Sequence, residues 1–333
     1  MILVTGGTGL IGSHLIYALL KQGRKVRVLK RSTSDTDIVR WLIDYYDKNL
    51  TELIKNIDWV EGDVDNYHSV FGALKDVKEV YHCAAMVSFS KSNQNRMLEV
   101  NVQGTANMVD ASLEHGVKKF CHVSSVASLG SATESEMVDE EAIFGKSKGK
   151  SGYAISKFRS EMEVWRGIDS GLNAIIVNPS VVIGPGNWNT GSGLILRTIA
   201  NGFPFYTLGV TGYVDVRDVV DLMIKGMQNE AWGKRFVING QNISHRQVFT
   251  YIAKAMGKKE PSIRVYPWMS NIAWRAASFV GFATRKTPSL TRDTARSAHT
   301  KTYYSAKRAK EQLGIEFTPI AEAVKNAVKA GPF

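Results

Sequence analysis

Cysteine is nearly absent from this sequence of 333 residues, which contains only two. Cys83 and Cys121 both fall within predicted strands, so we expect buried thiols that pack as small apolar side chains. That expectation disfavours a disulfide and a cysteine-based metal pair. No metal site is predicted from the rest of the sequence.

Long apolar runs are also lacking, which argues against a transmembrane helix. The segment 268–283 is the one candidate for a membrane helix, but it is too short and too polar to span a bilayer. It could lie on a membrane surface, although we favour a helix packed in the core or a lid over the substrate. A predicted strand begins at Met1 and leaves no room for a signal peptide, so we expect a cytoplasmic protein. The apolar residues that share one face of the late segment are Trp268, Ile272, Ala276, Phe279, Val280 and Ala283.

Acidic residues are fewer than basic ones, 31 against 42, and the formal net charge is +11. Much of the excess lies late in the chain, where many cations face a single acid, Asp293. A solvated face is the favoured interpretation, and steering of an anionic ligand or a membrane or nucleic-acid surface are the alternatives. Because the sequence has no nucleic-acid-binding motif, we expect no nucleic-acid partner. The late cations are Arg285, Lys286, Arg292, Arg296, Lys301, Lys307, Arg308 and Lys310.

A glycine-rich turn follows the first predicted strand. Glycines stand at Gly6, Gly9 and Gly12, and apolar residues then recur at helical spacing. A pyrophosphate at such a turn meets free backbone N–H groups and the positive end of the helix dipole. Gly6 permits the sharp turn, Gly9 lets the backbone approach the phosphates, and Gly12 lets the helix pack on the strand. The run therefore predicts a dinucleotide-binding turn formed by Gly6, Thr8, Gly9, Leu10, Ile11 and Gly12.

The end of the second predicted strand bears on the choice of cofactor. An acid there would bond the ribose 2′-hydroxyl of NAD(H), but this chain has Lys30, Arg31 and Ser32, which suit the 2′-phosphate of NADP(H). We therefore favour NADP(H), while NAD(H) stays open because Asp35 could turn back toward the ribose. The ends of the next two strands should also contact the cofactor, with Asp63 at the adenine and small residues along the dinucleotide. These contacts are Asp63, Val64, Cys83, Ala84 and Ala85.

A fifth predicted strand ends in Ser124 and Ser125, and the next predicted helix carries Tyr153 and Lys157 on one face, four residues apart. Ligands lie beyond the carboxyl ends of parallel strands, so Ser125 should hold the substrate oxygen. The pKa of a free phenol is about 10. An ammonium group on Lys157 should lower the pKa of Tyr153 toward neutrality, where a general acid–base works best. Lys157 could also bond the nicotinamide ribose.

These motifs resemble those of the extended short-chain dehydrogenases/reductases, whose pattern is T-G-x-x-G-x-x-G, a strand-end serine and Y-x-x-x-K. Further matches cover most of the chain, and the sequence is most similar to dihydroflavonol 4-reductase-like and 3β-hydroxysteroid dehydrogenase-like members. The resemblance implies a catalytic set of Ser125, Tyr153 and Lys157 supported by Asn101, and cofactor contacts near the nicotinamide. Residues 38–57 form a longer segment than most members have, and we expect extra helices there. The implied nicotinamide contacts are Pro179 and Ser180.

The predicted fold class is α/β, a doubly wound parallel Rossmann sheet with a smaller, mostly helical C-terminal substrate domain. We expect residues 1–186 with 212–243 to bind the cofactor, and residues 187–211 with 244–333 to bind the substrate. The polar segment 131–152 is expected to be a mobile loop beside the site. A homodimer is left open.

The expected function is an NADP(H)-dependent oxidoreductase that interconverts a carbonyl and an alcohol. A nucleotide-sugar epimerase or dehydratase, or a non-catalytic NADP-binding module, is the alternative. Dehydratases of the family add acids near the serine, whereas no acid follows Ser125 in residues 126–130. We expect a small, apolar substrate, because large apolar residues fall near the predicted pocket. They are Met86, Val87, Phe89, Trp188, Phe203, Phe205 and Tyr206.

Overall fold

The computed structural model describes residues 1–130, 137–147, 149–284 and 290–333. Within them the strands are β1 (Ile2–Thr5), β2 (Val26–Lys30), β3 (Ile57–Glu61), β4 (Glu79–His82), β5 (Lys119–Val123), β6 (Ala174–Pro179), β7 (Val181–Ile183), β8 (Phe205–Tyr206), β9 (Val210–Asp215), β10 (Lys234–Ile238), β11 (Gln241–Ser244) and β12 (Ile263–Arg264).

The α-helices in the same residues are α1 (Leu10–Lys21), α2 (Asp37–Tyr46), α3 (Tyr67–Ala73), α4 (Gln94–Leu98), α5 (Gly104–Glu114), α6 (Gly152–Asp169), α7 (Gly193–Ala200), α8 (Val216–Gln228), α9 (His245–Ala255), α10 (Pro267–Thr284), α11 (Arg292–Ser297), α12 (Lys307–Leu313) and α13 (Ile320–Ala330). Short 3₁₀ helices span Lys48–Asn56, Lys91–Asn93 and Val126–Ser128, and a π-helical turn spans Glu99–Gln103.

The main sheet has seven parallel strands in the order β10-β6-β5-β4-β1-β2-β3. This arrangement confirms the predicted doubly wound α/β fold. The strand order reverses beside β1, which lies between β2 and β4. In such sheets the ligand crevice opens at the carboxyl ends of the strands at the reversal. The glycine turn after β1 and the residues after β4 therefore meet at one edge.

Alternation along β1 explains why both faces of the sheet are covered. Ile2 and Val4 join one buried apolar cluster with Leu15 of α1, whereas Leu3 joins the other with Met108 of α5. Successive side chains of a strand point to opposite faces, so an unbroken apolar run requires helices on both sides. The cluster assignments follow that rule residue by residue.

A smaller sheet in the order β11-β9-β7 and a pair formed by β12 and β8 lie beyond the main sheet. Side chains of α7, α9 and α13 share a third buried apolar cluster, which includes Leu196, Val248 and Val324. The proposed division into a cofactor domain and a substrate domain stays a prediction.

The long segment after β2 contains the expected extra helices, namely α2 and the 3₁₀ helix Lys48–Asn56. The Tyr45 hydroxyl donates to the Asn326 Oδ1 of α13 at 2.7 Å. The ring of Trp41 lies 5.8 Å from that of Phe333. The segment after β2 therefore packs against the last residues of the chain.

In the described part of the segment 131–152, Glu140 Oε1 accepts a hydrogen bond from the Val237 N–H at 2.8 Å, and Phe144 stacks on Phe158 at 4.2 Å. The expected mobility of this segment stays a prediction. One expectation needs correction: the apolar face of α10 is exposed rather than packed in the core, while its alternative role as a lid over the substrate stays a prediction. None of the described helices is long and apolar enough to cross a membrane. Residues Arg285 and Lys286 and the Ala283 side chain lie outside the described part of the chain.

Candidate active site

The glycine turn after β1 has no room for side chains. Gly6 has a φ of +67°, and a Cβ there would lie 2.7 Å from the backbone N of Ala84. A Cβ on Gly12 would lie 2.2 Å from the carbonyl oxygen of Gly6. The turn is thus pressed against α1 on one side and against the end of β4 on the other.

The start of α1 can receive an anion. Gly9 caps the helix without a side-chain hydrogen bond, and the first N–H groups of a helix have no partner within it. Thr8, Leu10 and Ile11 stand at this end of the helix. These backbone donors and the helix dipole fit the pyrophosphate of a dinucleotide.

The end of β2 presents free cations. The side chains of Lys30 and Arg31 form no ion pair with any described residue, and Ser32 beside them is exposed. Asp35 Oδ1 accepts a hydrogen bond from the Asp37 N–H at 3.0 Å, at the start of α2. Two cations and a hydroxyl at this place fit a 2′-phosphate, and the preference between NADP(H) and NAD(H) stays a prediction.

Residues after β3 and β4 border the same edge. Asp63 lies 3.6 Å from the guanidinium of Arg96, a partner that the sequence does not indicate. Val64 is buried and its carbonyl accepts from Asn107 Nδ2 at 2.9 Å. Cys83 and Ala84 pack on the glycine turn, and Ala85 follows them, exposed.

Both cysteines are free thiols, as expected. Burial raises the pKa of Cys83 to about 12 and that of Cys121 well above its usual value. Neither thiol therefore supplies a thiolate near neutral pH.

Tyr153 and Lys157 lie one turn apart near the start of α6. Lys157 is buried, and its Nζ donates to the Val123 carbonyl, the last residue of β5, at 2.8 Å. Burial lowers the pKa of Lys157 to about 8, while Glu161 and Cys83 act in the opposite direction.

The pKa of Tyr153 differs from the sequence-based expectation. Burial raises the pKa of Tyr153, and a polar interaction with Ser125 opposes that rise. Lys157 is not among the causes of this shift. The shift is therefore opposite in direction to the one predicted from the sequence.

Ser125 begins the short 3₁₀ helix after β5. Its Oγ accepts a hydrogen bond from the Ala127 N–H at 3.1 Å, which leaves the hydroxyl free to donate. The side chain is half-buried, so a ligand oxygen can reach it. Ser125 thus lies at the carboxyl edge of the sheet beside the Tyr153 phenol.

Asn101 connects the segment after β4 to α6. It lies in the π-helical turn, a feature frequent at functional sites, and is buried. Its side chain bonds both backbone groups of Met86, accepting from the N–H at 2.7 Å and donating to the carbonyl at 2.9 Å. It also donates to the Ser156 Oγ at 3.0 Å. Asn101 therefore positions the chain on which Tyr153 stands.

A second connection runs from the glycine turn to the same asparagine. His82 bonds Thr5 Oγ1 through Nδ1 at 2.8 Å and Thr105 Oγ1 through Nε2 at 3.1 Å, and Thr105 donates to the Asn101 carbonyl at 2.6 Å. Burial lowers the pKa of His82 to about 3, with Lys157 acting in the same direction. This neutral, buried histidine joins the cofactor turn to the catalytic candidates, and sequence reasoning assigned it no role.

Glu161 lies at the centre of a buried polar cluster behind Ser125. Its Oε2 accepts hydrogen bonds from Ser124 Oγ at 2.8 Å, Ser128 Oγ at 2.7 Å and Asn178 Nδ2 at 2.9 Å. Its Oε1 forms an ion pair with Arg235 at 3.1 Å. Sequence reasoning missed this residue, although its position four residues after Lys157 puts it on the same helix face.

The residues after β6 complete this edge of the sheet. Pro179 ends β6, and Ser180 follows it with a buried hydroxyl that has no partner among the described residues. A carboxamide is a group that such a hydroxyl could bond. This position fits the expected contact near a nicotinamide.

The apolar residues predicted to line the pocket lie in two places. One group follows β4 beside Tyr153, and the other lies in the segment 188–206. Phe89 packs edge-on against the Tyr153 ring at 5.8 Å between centroids, and Val87 beside it is exposed. Trp188 instead belongs to the third apolar cluster. Phe203 contacts Phe205 at 5.3 Å, and the Arg246 guanidinium lies over Tyr206 at 4.6 Å. Met86, whose backbone Asn101 holds, belongs to the group that follows β4.

Comparison with known proteins bears on this geometry. Residues 2–239 match the NAD dependent epimerase/dehydratase family. The chain belongs to this family. Its members are NAD(P)-dependent oxidoreductases and epimerases that act on small molecules.

Three relatives of this family illustrate its range. The chain is 30% identical to a Synechocystis sp. protein provisionally named dihydroflavonol 4-reductase, over 98% of this chain and 92% of that protein. A solved structure titled gox2253 is 30% identical with a TM-score of 0.82, covering 99% of this chain and 97% of that one. UDP-glucose 4-epimerase of Thermus thermophilus, solved in complex with NAD, is 22% identical with a TM-score of 0.74, covering 99% and 98%. The last likeness speaks to the fold alone.

Proposed function

We propose that the protein is an NADP(H)-dependent oxidoreductase that interconverts an apolar carbonyl compound and the corresponding alcohol. The single observation that carries the proposal is the meeting of Ser125, Tyr153 and Lys157 at the edge where the glycine turn opens. The likeness to the reductase-named Synechocystis protein supports it.

The roles of the three side chains follow from their positions. Ser125 and Tyr153 donate hydrogen bonds to the carbonyl oxygen of the substrate, and the Tyr153 hydroxyl transfers its proton to that oxygen. Bound NADPH supplies the hydride that the carbonyl carbon accepts. The Lys157 ammonium ties α6, which carries Tyr153, to the end of β5, and would bond the nicotinamide ribose of the cofactor. Alcohol oxidation is the reverse of these steps.

The preference for NADP(H) rests on the free cations of Lys30 and Arg31. A charge-assisted hydrogen bond to a phosphate contributes about 1.5–3 kcal/mol, which corresponds to about 10- to 100-fold in affinity. Arg31→Ala should therefore weaken NADP⁺ binding by about that factor and leave NAD⁺ binding unchanged. Calorimetric titration measures both, with Arg40→Ala on α2 as a control that removes another exposed arginine. Tighter binding of NAD⁺ than of NADP⁺ by the unaltered protein would contradict the preference.

An apolar substrate is favoured by Phe89, which packs on the ring that should deliver the proton. The test is NADPH oxidation, followed by absorbance, with flavanonols, steroids, simple aldehydes and nucleotide sugars. We expect turnover of an apolar carbonyl compound, and a raised KM for it in Phe89→Ala. Activity confined to nucleotide sugars would refute the proposed substrate class.

The alternative is an epimerase, as in the Thermus relative, which is solved with NAD. An epimerase would return its cofactor unchanged and yield isomers without net redox change. The only acid contacting the serine loop among the described residues is Glu161, which is buried and paired with Arg235. This arrangement gives no support to the acid-assisted loss of a hydroxyl group that a dehydratase requires. Between a reductase and an epimerase, net redox change with release of free cofactor supports the reductase.

A further inference from the structure

Helix α10 carries an exposed apolar stripe. Trp268, Ile272, Phe279 and Val280 are 64%, 61%, 73% and 57% exposed. Their spacing puts them on one side of the helix over about three turns, with Ala276 between them. Single exposed apolar residues are ordinary, but a contiguous patch of this kind marks a contact surface.

The other side of α10 is anchored to the protein. Ser270 is buried, and its Oγ lies 2.8 Å from the His299 Nε2. Trp274 is half-buried, and α10 packs on α11. Within the described residues, the stripe is therefore the uncovered side of a helix that is held in place by its other side.

The charge in the stretch around the stripe is predominantly positive. The stretch 261–310 contains ten Lys and Arg residues and one acid, Asp293, and α10 itself has Arg275 as its sole charged residue. Arg264, Arg275 and Arg292 are exposed and form no ion pair with any described residue. Exposed apolar side chains on a helix that carries Arg275, in a stretch with further arginines that form no ion pair with a described residue, match the surface of a bilayer, where acyl chains lie beneath anionic headgroups.

We propose that α10 seats the protein peripherally on a lipid bilayer with anionic headgroups. The stripe enters the boundary between headgroups and acyl chains, and the three arginines lie against the lipid phosphates. A second copy of this chain is a poorer occupant, because a two-fold contact between two α10 helices would bring Arg275 no acid from the partner helix, which has none. The proposal is independent of the reaction assigned to the active site.

The test is co-sedimentation of the full chain with phosphatidylcholine vesicles, with and without phosphatidylglycerol. We expect binding to the anionic vesicles, weaker binding as salt rises, and weaker binding to phosphatidylcholine alone. Ile272→Ser/Phe279→Ser should reduce binding at least about tenfold, the effect of losing two buried apolar contacts. Arg275→Ser should reduce binding only to the anionic vesicles.

A matched control removes two exposed apolar side chains elsewhere. Phe71→Ser/Met162→Ser alters α3 and α6, and both residues are 39% exposed. This variant should bind vesicles as the unaltered protein does, and far-ultraviolet circular dichroism should show that every variant is folded. The proposal fails if the unaltered protein does not bind anionic vesicles, or if the stripe variant binds them equally well. Dimers in analytical ultracentrifugation that disappear in the stripe variant would assign the stripe to a second copy instead.

Discussion

Lys157 Nζ donates a hydrogen bond to the carbonyl oxygen of Val123 at 2.8 Å. Val123 ends β5 two residues before Ser125, so this bond ties α6 to the strand that presents the serine. The position of the ammonium is thereby set by the backbone of the sheet. Ser125 and the later pair Tyr153 and Lys157 keep one geometry because a single buried cation links their elements.

The charge of Lys157 should depend on Glu161. Because burial holds the pKa of Lys157 at about 8 and Glu161 raises it, Glu161→Gln should lower the pKa of Lys157 further. Activity that requires the ammonium falls as pH rises through that pKa, so the alkaline limb of the kcat/KM profile should move to lower pH in the variant. Glutamine keeps an acceptor for Ser124 and Ser128, which limits structural damage.

Glu163→Gln is the control for this experiment. Glu163 lies on the same helix but pairs with Arg166 at the surface, at 2.9 Å. Its replacement should leave the profile unchanged. An alkaline limb that stays in place in Glu161→Gln would show that this carboxylate does not tune Lys157.

The two left-handed glycines flanking α1 should respond differently to alanine. Gly6 and Gly23 have φ values of +67° and +70°, but a Cβ on Gly23 meets nothing within 4 Å. Gly23→Ala should therefore cost about 1 kcal/mol of unfolding free energy, the cost of a left-handed alanine. Gly6→Ala should cost about 1–3 kcal/mol more, because its Cβ strikes the backbone after β4. Urea denaturation measures both, and equal losses would disprove the crowding of the turn.

Asn101 should matter for activity as well as stability. Asn101→Ala leaves both backbone groups of Met86 without their partner, which should cost about 1–3 kcal/mol of unfolding free energy. It also frees Ser156 on α6, so kcat should fall with little change in NADP⁺ affinity. Asn107→Ala removes a comparable buried bond, to the Val64 carbonyl, and should lose stability but keep kcat. Equal kcat values for the two variants would remove Asn101 from the positioning of α6.

Local patterns were sufficient to predict the sheet and the places of the main candidates. The strand, glycine turn and helix at residues 2–21 follow from spacing alone, as does the pairing of Tyr153 with Lys157 on one helix face. Such features depend on residues close in sequence, where backbone geometry is nearly fixed. The roles proposed for those residues stay predictions.

Long-range contacts could not be predicted in this way. The partner of Lys157 is a backbone carbonyl of another element, so no side-chain pattern indicates it. In the sequence, Glu161 resembles an ordinary polar residue of a surface helix. Its buried partners Asn178 and Arg235 lie on β6 and β10, far away in the chain. The exposed face of α10 has the same composition as a packed one, and only the placement of its neighbours distinguishes them.

The most direct measurement compares NADPH oxidation by the unaltered protein and by Tyr153→Phe, with an apolar carbonyl substrate. Removing the proposed proton donor should lower kcat by about 10²- to 10⁴-fold, the usual contribution of general acid catalysis. NADP⁺ affinity should be unchanged, since the phenyl ring preserves the packing against Phe89. Turnover by Tyr153→Phe equal to that of the unaltered protein would contradict the proposed role of the phenol. An unaltered protein that bound NADP⁺ but reduced no carbonyl compound would contradict the proposed reaction itself.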